Sequence, residues 1–435
     1  MSSRCLSAGP ACHGYENLIA AGRAELWRWR LEEALALLDA ALRLRPDSAG
    51  AHYLRGETLF LQRRLDEALD SHAKAASFGV AQEGIVGEAM SGMVPGDFAW
   101  MSHMLRGDFA AAWRLADADR ERRERAGIGC AGWPRHLRPV WDGQPLDGRK
   151  VLVRCYHGLG DTIQFIRYVP LLARRAAAVT VEAQPELLEL FATLPGIDGL
   201  HALSPNEERR CDDLGCDAEI DVTELPHAFR TTLATIPNGL PLFRAEPSRL
   251  AAARRRLAAV PGQLKIGLVW AAGAWKPERS IALECLARLG AIPGVAFVNL
   301  QRGPEYGRWR SERSGPAMLD MSSDQIADIA AAISALHLVI TVDTMVAHLA
   351  GSLGVPVWLM LHFAADWRWL LERNDSPWYP TMRLFRQPAP GDWDSVVANV
   401  SAALSAVAAG RPTSPPRPPA RVAAPGAGVG APPRR

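Results

Sequence analysis

No apolar run in this chain approaches the roughly 18 consecutive residues that a membrane-spanning helix requires. The N-terminus also lacks the apolar core of a secretory leader. The expectation is a soluble, cytoplasmic protein, with a peripheral place at the inner face of the cytoplasmic membrane left open. An excess of one charge is missing too: 49 basic side chains stand against 47 acidic ones, a formal net charge of +2. That balance lacks the electrostatic footprint of a nucleic-acid binder. Cysteine is sparse and odd in number, at positions 5, 12, 130, 155, 211, 216 and 285. Four residues separate Cys211 from Cys216, and no second pair completes a zinc set, so reduced thiols and no metal site are expected.

What is present is ample apolar material. With 435 residues, 48% hydrophobic and 22% charged, the chain can bury a normal core in two to four domains. Its first ninety residues repeat themselves. Gly22, Leu31, Glu33, Ala34, Leu35 and Ala41 return as Gly56, Leu65, Glu67, Ala68, Leu69 and Ala75, each 34 positions on. That period, with small residues where paired helices would cross, resembles the tetratricopeptide repeat. Leu105 to Trp113 reads as a further, degenerate unit beyond a glycine-rich insertion around Gly84 to Gly96.

From Gly132 the composition shifts through a Pro/Trp-rich linker to an α/β pattern. Apolar strands are expected at Lys150–Tyr156, Val179–Ala183 and Ala218–Val222, with helices over Thr162–Arg175 and Pro185–Leu194. Pro241–Pro247 marks a second boundary. Beyond it, strands at Leu264–Trp270, Val295–Gln301, Leu338–Val342 and Val355–Leu361 alternate with helices that include Asp324–Leu336 and Met345–Leu353. Continuous apolar strands between helices imply parallel sheets covered on both faces. Ser322 with Gln325 suggests a capping box, and Gly354 before Pro356 a helix stop. The domains are therefore a helical repeat region at 1–130, α/β halves at 131–246 and 247–410, and a Pro/Ala/Gly-rich tail at 411–435 too poor in large apolar residues to fold.

Three strand-to-loop steps can carry chemistry. Gly158-Leu-Gly-Asp161 runs from a strand into a helix, and its glycines would allow positive φ and close approach of a ligand. Asp161 would then act as a helix cap or as a general base, with His157 the second candidate base. Asp343-Thr344-Met345 opens another helix, where backbone N–H groups and the Thr344 hydroxyl would hold a diphosphate. There Asp343 reads as a cap or ribose contact, and His348 as facing or underpinning the pocket. In the third step, Trp270 to Ser280, Lys276 and Arg279 would neutralise phosphate. Asp366-Trp-Arg-Trp369 and Ser376 to Arg386 gather aromatics that would stack a nucleobase or pack between domains.

Together these motifs, with Leu300-Gln301 and Pro377-Trp-Tyr-Pro380, resemble tetratricopeptide-repeat proteins whose catalytic part is similar to glycosyltransferase family 9, the heptosyltransferases. The resemblance spans about Pro139 to Leu404. It implies a GT-B fold, with two Rossmann-like halves and the donor held mainly by the second. It also implies a nucleotide sugar as substrate rather than any cofactor, and metal-independent inverting transfer to a hydroxyl of a protein or glycolipid. By position it makes Asp161 the base, with His157 beside it. It places Gly158, Gly160, Arg279, Ser280, Asp343, Thr344, Met345 and His348 at the donor. Met345 stands where the family usually has glycine, and the loop from Ala271 lacks its polar groups. Both departures keep two alternatives open: a non-catalytic repeat scaffold with a degenerate transferase domain, and a nucleotide-sugar epimerase.

Overall fold

The computed structural model describes residues 10–79, 95–125, 143–146, 148–204, 209, 211–273, 276–312 and 315–410. The tail at 411–435, the expected Gly84–Gly96 insertion as far as Val94 and most of the linker lie outside the described residues, and Pro95 and Gly96 of that insertion open a helix. Six helices come first: α1 Pro10–Trp27, α2 Leu31–Leu44, α3 Ala49–Leu61, α4 Leu65–Ser77, α5 Pro95–Arg106 and α6 Phe109–Arg125. They pack as successive pairs, α1 on α2, α3 on α4 and α5 on α6.

The 34-residue period returns as geometry. A Cβ on Gly22 would sit 3.0 Å from Leu38, and one on Gly56 would sit 2.7 Å from His72, the position 34 further on. Each pair turns on a left-handed residue, Trp29 at φ 59° and Arg63 at φ 64°, and Gly107 at φ 76° supplies the same turn between α5 and α6. Only at Gly107 is that conformation free of a Cβ penalty.

Two parallel sheets follow. The first contains β1 Lys150–Arg154, β2 Ala178–Ala183, β3 Gly199–Ala202 and β4 Ala218–Asp221, in the order β3-β2-β1-β4. The second contains β5 Leu264–Val269, β6 Val295–Asn299, β7 Met318–Asp320, β8 Leu338–Val342, β9 Val357–Leu361 and β10 Met382–Arg386, ordered β10-β9-β8-β5-β6-β7. This is the GT-B layout expected from the sequence, a helical region followed by two parallel-sheet α/β halves. β8 and β9 are buried at every residue, and β1 and β5 over their last four, as parallel sheets covered on both faces require.

Several local expectations need correction. The helix expected over Thr162–Arg175 starts earlier, as α7 Leu159–Phe165, and breaks into a 3₁₀ turn at Ile166–Tyr168 before a last helical turn at Val169–Leu172. Pro170 falls at the second position of that turn, where its missing N–H costs nothing. The Ser322–Gln325 capping box is absent. The helix begins at Ile326, the Ser322 hydroxyl donates to Asp320 Oδ1 at 2.7 Å, and Ser323 Oγ accepts the Gln325 N–H at 3.1 Å. Gly354 is a true stop, at φ 74°. Its N–H bonds Gly351 O and the Val355 N–H bonds Ala350 O, both at 3.1 Å, a Schellman motif.

The helical region is not a loose appendage, for one apolar core runs from Leu26 through both sheets to Leu384. Trp113 Nε1 donates to Thr231 O of the first half at 2.7 Å. On the second half, Arg63 donates to Ala365 O, Leu371 N donates to Leu105 O at 3.2 Å, and Trp29 meets His362 edge-on at 4.5 Å.

Candidate functional site

In each sheet the strand order reverses beside one strand, at β1/β4 in the first and β5/β8 in the second. A crevice opens at the carboxyl ends of such a pair, because the connections leave it toward opposite faces. Both crevices are present here, and each holds a cavity.

The larger cavity, about 540 Å³, lies at the β5/β8 edge. Its cationic side is Lys276, Arg279 and Arg302, and its floor is Asp343, Thr344 and Met345 at the start of the helix Met345–Ser352. The first N–H groups of that helix have no intrahelical partner. Arg279 Nη1 pairs with Asp343 Oδ2 at 3.2 Å, and its Nη2 lies 3.8 Å from Asp366. Burial pushes the Asp343 carboxyl above its usual range, against the opposing pull of Arg279.

The smaller cavity, about 290 Å³, lies at the β1/β4 edge, with α5 and α6 forming part of its wall. His157 Nε2 is 3.1 Å from Asp221 Oδ2 and 3.3 Å from Thr223 Oγ1. Burial alone would depress the His157 pKa, but the bond to Asp221 and the nearby Asp161 and Glu224 charges raise it overall. Asp161 lines the same cavity and accepts from Arg368 Nη2 at 2.6 Å.

Asp161 and Thr344 therefore line different cavities. Between them α7 packs directly on the helix Met345–Ser352, so that a Cβ on Gly160 would meet His348 at 3.0 Å. The partition is a row of ion pairs running from Asp161 to Arg368, Asp366, Arg279 and Asp343. Burial pushes Asp366 upward, but Arg368 and Arg279 override it and hold the carboxyl far below its usual range.

Other expected site residues serve the scaffold. Gly158 has φ −62° and Gly160 is helical, so neither uses positive φ, and neither is in the lining of these two cavities; Gly160 admits the neighbouring helix. Asp161 is the third residue of α7 and does not cap it. The Ser280 hydroxyl accepts Ala272 N–H at 3.0 Å and shapes the cavity loop from behind. His348 is buried under the pocket, with Nδ1 3.0 Å from the Tyr379 hydroxyl and its ring stacked on Trp369. Trp369, Trp378 and Tyr379 are fully buried, so these aromatics of the expected nucleobase shelf pack the seam between domains. The Asp221, Thr223 and Glu224 cluster and the tryptophans of α5 and α6 gave no local signal in the sequence.

Buried imidazoles set an acid limit. Burial lowers the pKa of His348 to about 3, and those of His72 and His362 to about 4. Unfolded histidine titrates near 6.5, so below that pH the unfolded chain binds protons that the fold refuses, and stability falls with pH. Each group contributes up to about 1.4 kcal/mol per pH unit in the window between its two values. A His72→Phe variant, which keeps the ring stacked on Phe98, should lose about 2 kcal/mol less than wild type between pH 6.5 and 5 in urea unfolding. Equal losses would contradict a neutral His72.

No family model matches the chain. Among curated proteins it is 25% identical over 401 residues to Protein FlbA of Caulobacter vibrioides, covering 86% of this chain. The chain spans 64% of that relative's length. Among solved structures it is similar to a family 9 glycosyl transferase from Veillonella parvula, with 14% identity, 61% of this chain and 98% of that one covered, and a TM-score of 0.48. The E. coli ADP-heptose LPS heptosyltransferase II is 11% identical over 59% of this chain and 98% of its own, with a TM-score of 0.45. A Thermobaculum terrenum O-GlcNAc transferase is 14% identical over 83% of this chain and 84% of its own, with a TM-score of 0.26. At such values these likenesses say nothing of what this chain binds.

Proposed function

We propose that this protein is a glycosyltransferase that takes a nucleotide-sugar donor into the larger cavity and transfers the sugar to an acceptor hydroxyl on a glycolipid or protein. The observation that carries this reading is the larger cavity itself. It joins Lys276, Arg279 and Arg302 to the open N–H groups of a helix start, at the strand reversal where a nucleoside diphosphate fits best. In the step itself the acceptor oxygen attacks the anomeric carbon, and the bond from that carbon to the phosphate oxygen breaks. The leaving nucleoside diphosphate keeps the electron pair. The acceptor proton passes to Asp161, with His157 held by Asp221 as the alternative acceptor in the same cavity. Cations around the diphosphate stabilise the charge that grows on it. For acceptor and donor to meet, the partition must part, with Arg279 moving from Asp343 onto the diphosphate. An epimerase would need no acceptor and would leave the second cavity without a role.

One observation favours the scaffold reading, in which the helical repeats hold a partner and a degenerate transferase domain transfers nothing. Asp161 Oδ1 is already held by the Arg368 guanidinium at 2.6 Å, so that oxygen is engaged before any acceptor hydroxyl arrives. A panel of nucleotide sugars separates the readings. Turnover by the wild type, reduced by at least about a hundredfold in Asp161→Asn with nucleotide binding kept, supports transfer. No turnover by the wild type, whether or not a nucleotide binds, supports the scaffold and sinks transfer.

A further inference from the structure

We propose that the smaller cavity is the acceptor site and that it takes a single uncharged pyranose, with the helical region building one wall. This deepens the transferase reading and rests on it.

Three tryptophans from distant parts of the chain line the cavity: Trp100 from α5, Trp113 from α6 and Trp367 from the second α/β half. Trp100 meets Trp367 edge-on at 5.6 Å and Trp113 at a tilt at 6.3 Å, so the rings form a continuous wall. The indole N–H of Trp113 is taken up by Thr231 O, which leaves that ring to offer apolar surface. His157, Asp161 and Glu224 line the same cavity. A pyranose has the same division, an apolar face of C–H groups and a rim of hydroxyls. Carboxylates bond such hydroxyls strongly, because a charged acceptor shortens and strengthens the bond.

The charges argue against an anionic acceptor. Arg368 is already engaged by Asp161 and Asp366, and His227 is held by Asp117 at 3.0 Å. Among the described residues, the Glu224 carboxylate has the His227 ring as its ion-pair partner, at 3.8 Å. A phosphate or carboxylate entering here would meet Asp161 and Glu224, while Arg368, His157 and His227 of the described lining are each already held by a carboxylate. Size points the same way. At about 290 Å³ the cavity lies at the lower end of small-molecule pockets, room for one ring and not for an acyl chain or an extended peptide.

The test uses the full chain and methyl pyranosides of glucose, mannose and galactose as probes, read by saturation-transfer NMR. Uridine and adenosine diphosphate binding is followed in the same samples by calorimetry. At least one glycoside should contact the wild type. Trp100→Ala and the milder Glu224→Gln should each weaken it by about tenfold or more, the scale of one lost bond to a charged group. Glycoside binding unchanged in both variants overturns the proposal. So does the absence of any glycoside contact while a nucleoside diphosphate binds, including the case where a serine- or threonine-bearing peptide binds instead; the transferase reading then survives. If no nucleoside diphosphate binds either, the transferase reading fails, and the acceptor assignment falls with it.

Discussion

Replacing Arg368 with alanine is expected to destabilise the protein by about 3–5 kcal/mol, the usual result of removing one partner from a buried ion pair. The guanidinium meets Asp161 at 2.6 Å and Asp366 at 2.8 Å, and lies over the rings of Phe165 and Trp367 at 5.2 and 4.9 Å. Burial works against its charge, but Asp366 and Asp161 more than reverse that and push its pKa above the usual arginine range. Without it Asp366 keeps the backbone N–H of residue 368 at 3.1 Å and, among the described ion pairs, Arg279 at 3.8 Å, and the seam between the two halves loses a bridge. Total stabilities of about 5–15 kcal/mol are typical, so the loss should be plain in a urea titration as a lower midpoint at unchanged slope. Pairing Arg368→Met with Asp366→Asn should restore part of it, because no buried charge is then left alone. A single variant as stable as wild type would show that the seam is held by its aromatics alone.

The second large effect belongs to Arg154, which is 2% exposed at the carboxyl end of β1. It donates to Glu182 Oε2 at 2.9 Å on β2, to Glu219 Oε2 at 2.8 Å on β4, and to Arg209 O at 2.8 Å. One cation thus ties together three adjacent strands of the first sheet. Arg154→Ala would leave Glu182, which is fully buried, facing a void with its charge unpaired. The expected loss is again about 3–5 kcal/mol. Arg154→Met combined with Glu182→Leu should recover most of it, since well-packed apolar pairs often match the buried ions they replace. Thermal unfolding of the single and double variants checks both statements. A double variant no better than the single would show that Glu219 and the Arg209 carbonyl carry the effect.

The elements that could be read from the chain were those whose signal is local. The 34-residue period was visible because Gly22 and Gly56 each sit under a crossing helix, a demand that recurs with every unit. Strands such as Leu338–Val342 were legible because full burial removes polar residues from both faces. Half-buried or very short pieces escaped: β3 begins with glycine and is nowhere fully buried, and β7 has three residues. The strand Met382–Arg386 was hidden among arginines and aromatics that read equally well as a ligand shelf. At the candidate site, the sequence located both carboxyl-edge loops but not their pairings. Asp161 finds Arg368 207 positions away, His157 finds Asp221 64 away, and Trp113 finds Thr231 118 away. No window along the chain contains such partners: the first pair forms where the two halves meet, the second where β1 and β4 lie side by side, and the third where α6 docks on the first half.

The way the helical region grips both α/β halves has a consequence for motion. Enzymes with two lobes commonly admit and release substrates by swinging about a linker, as jaws do. Here Trp113 is fastened to one lobe while Arg63 and Leu105 are fastened to the other, so the repeats act as a brace across the jaws. Traffic into the interior must then depend on small rearrangements of side chains and loops near each mouth, because a wide gape would tear the brace from one lobe.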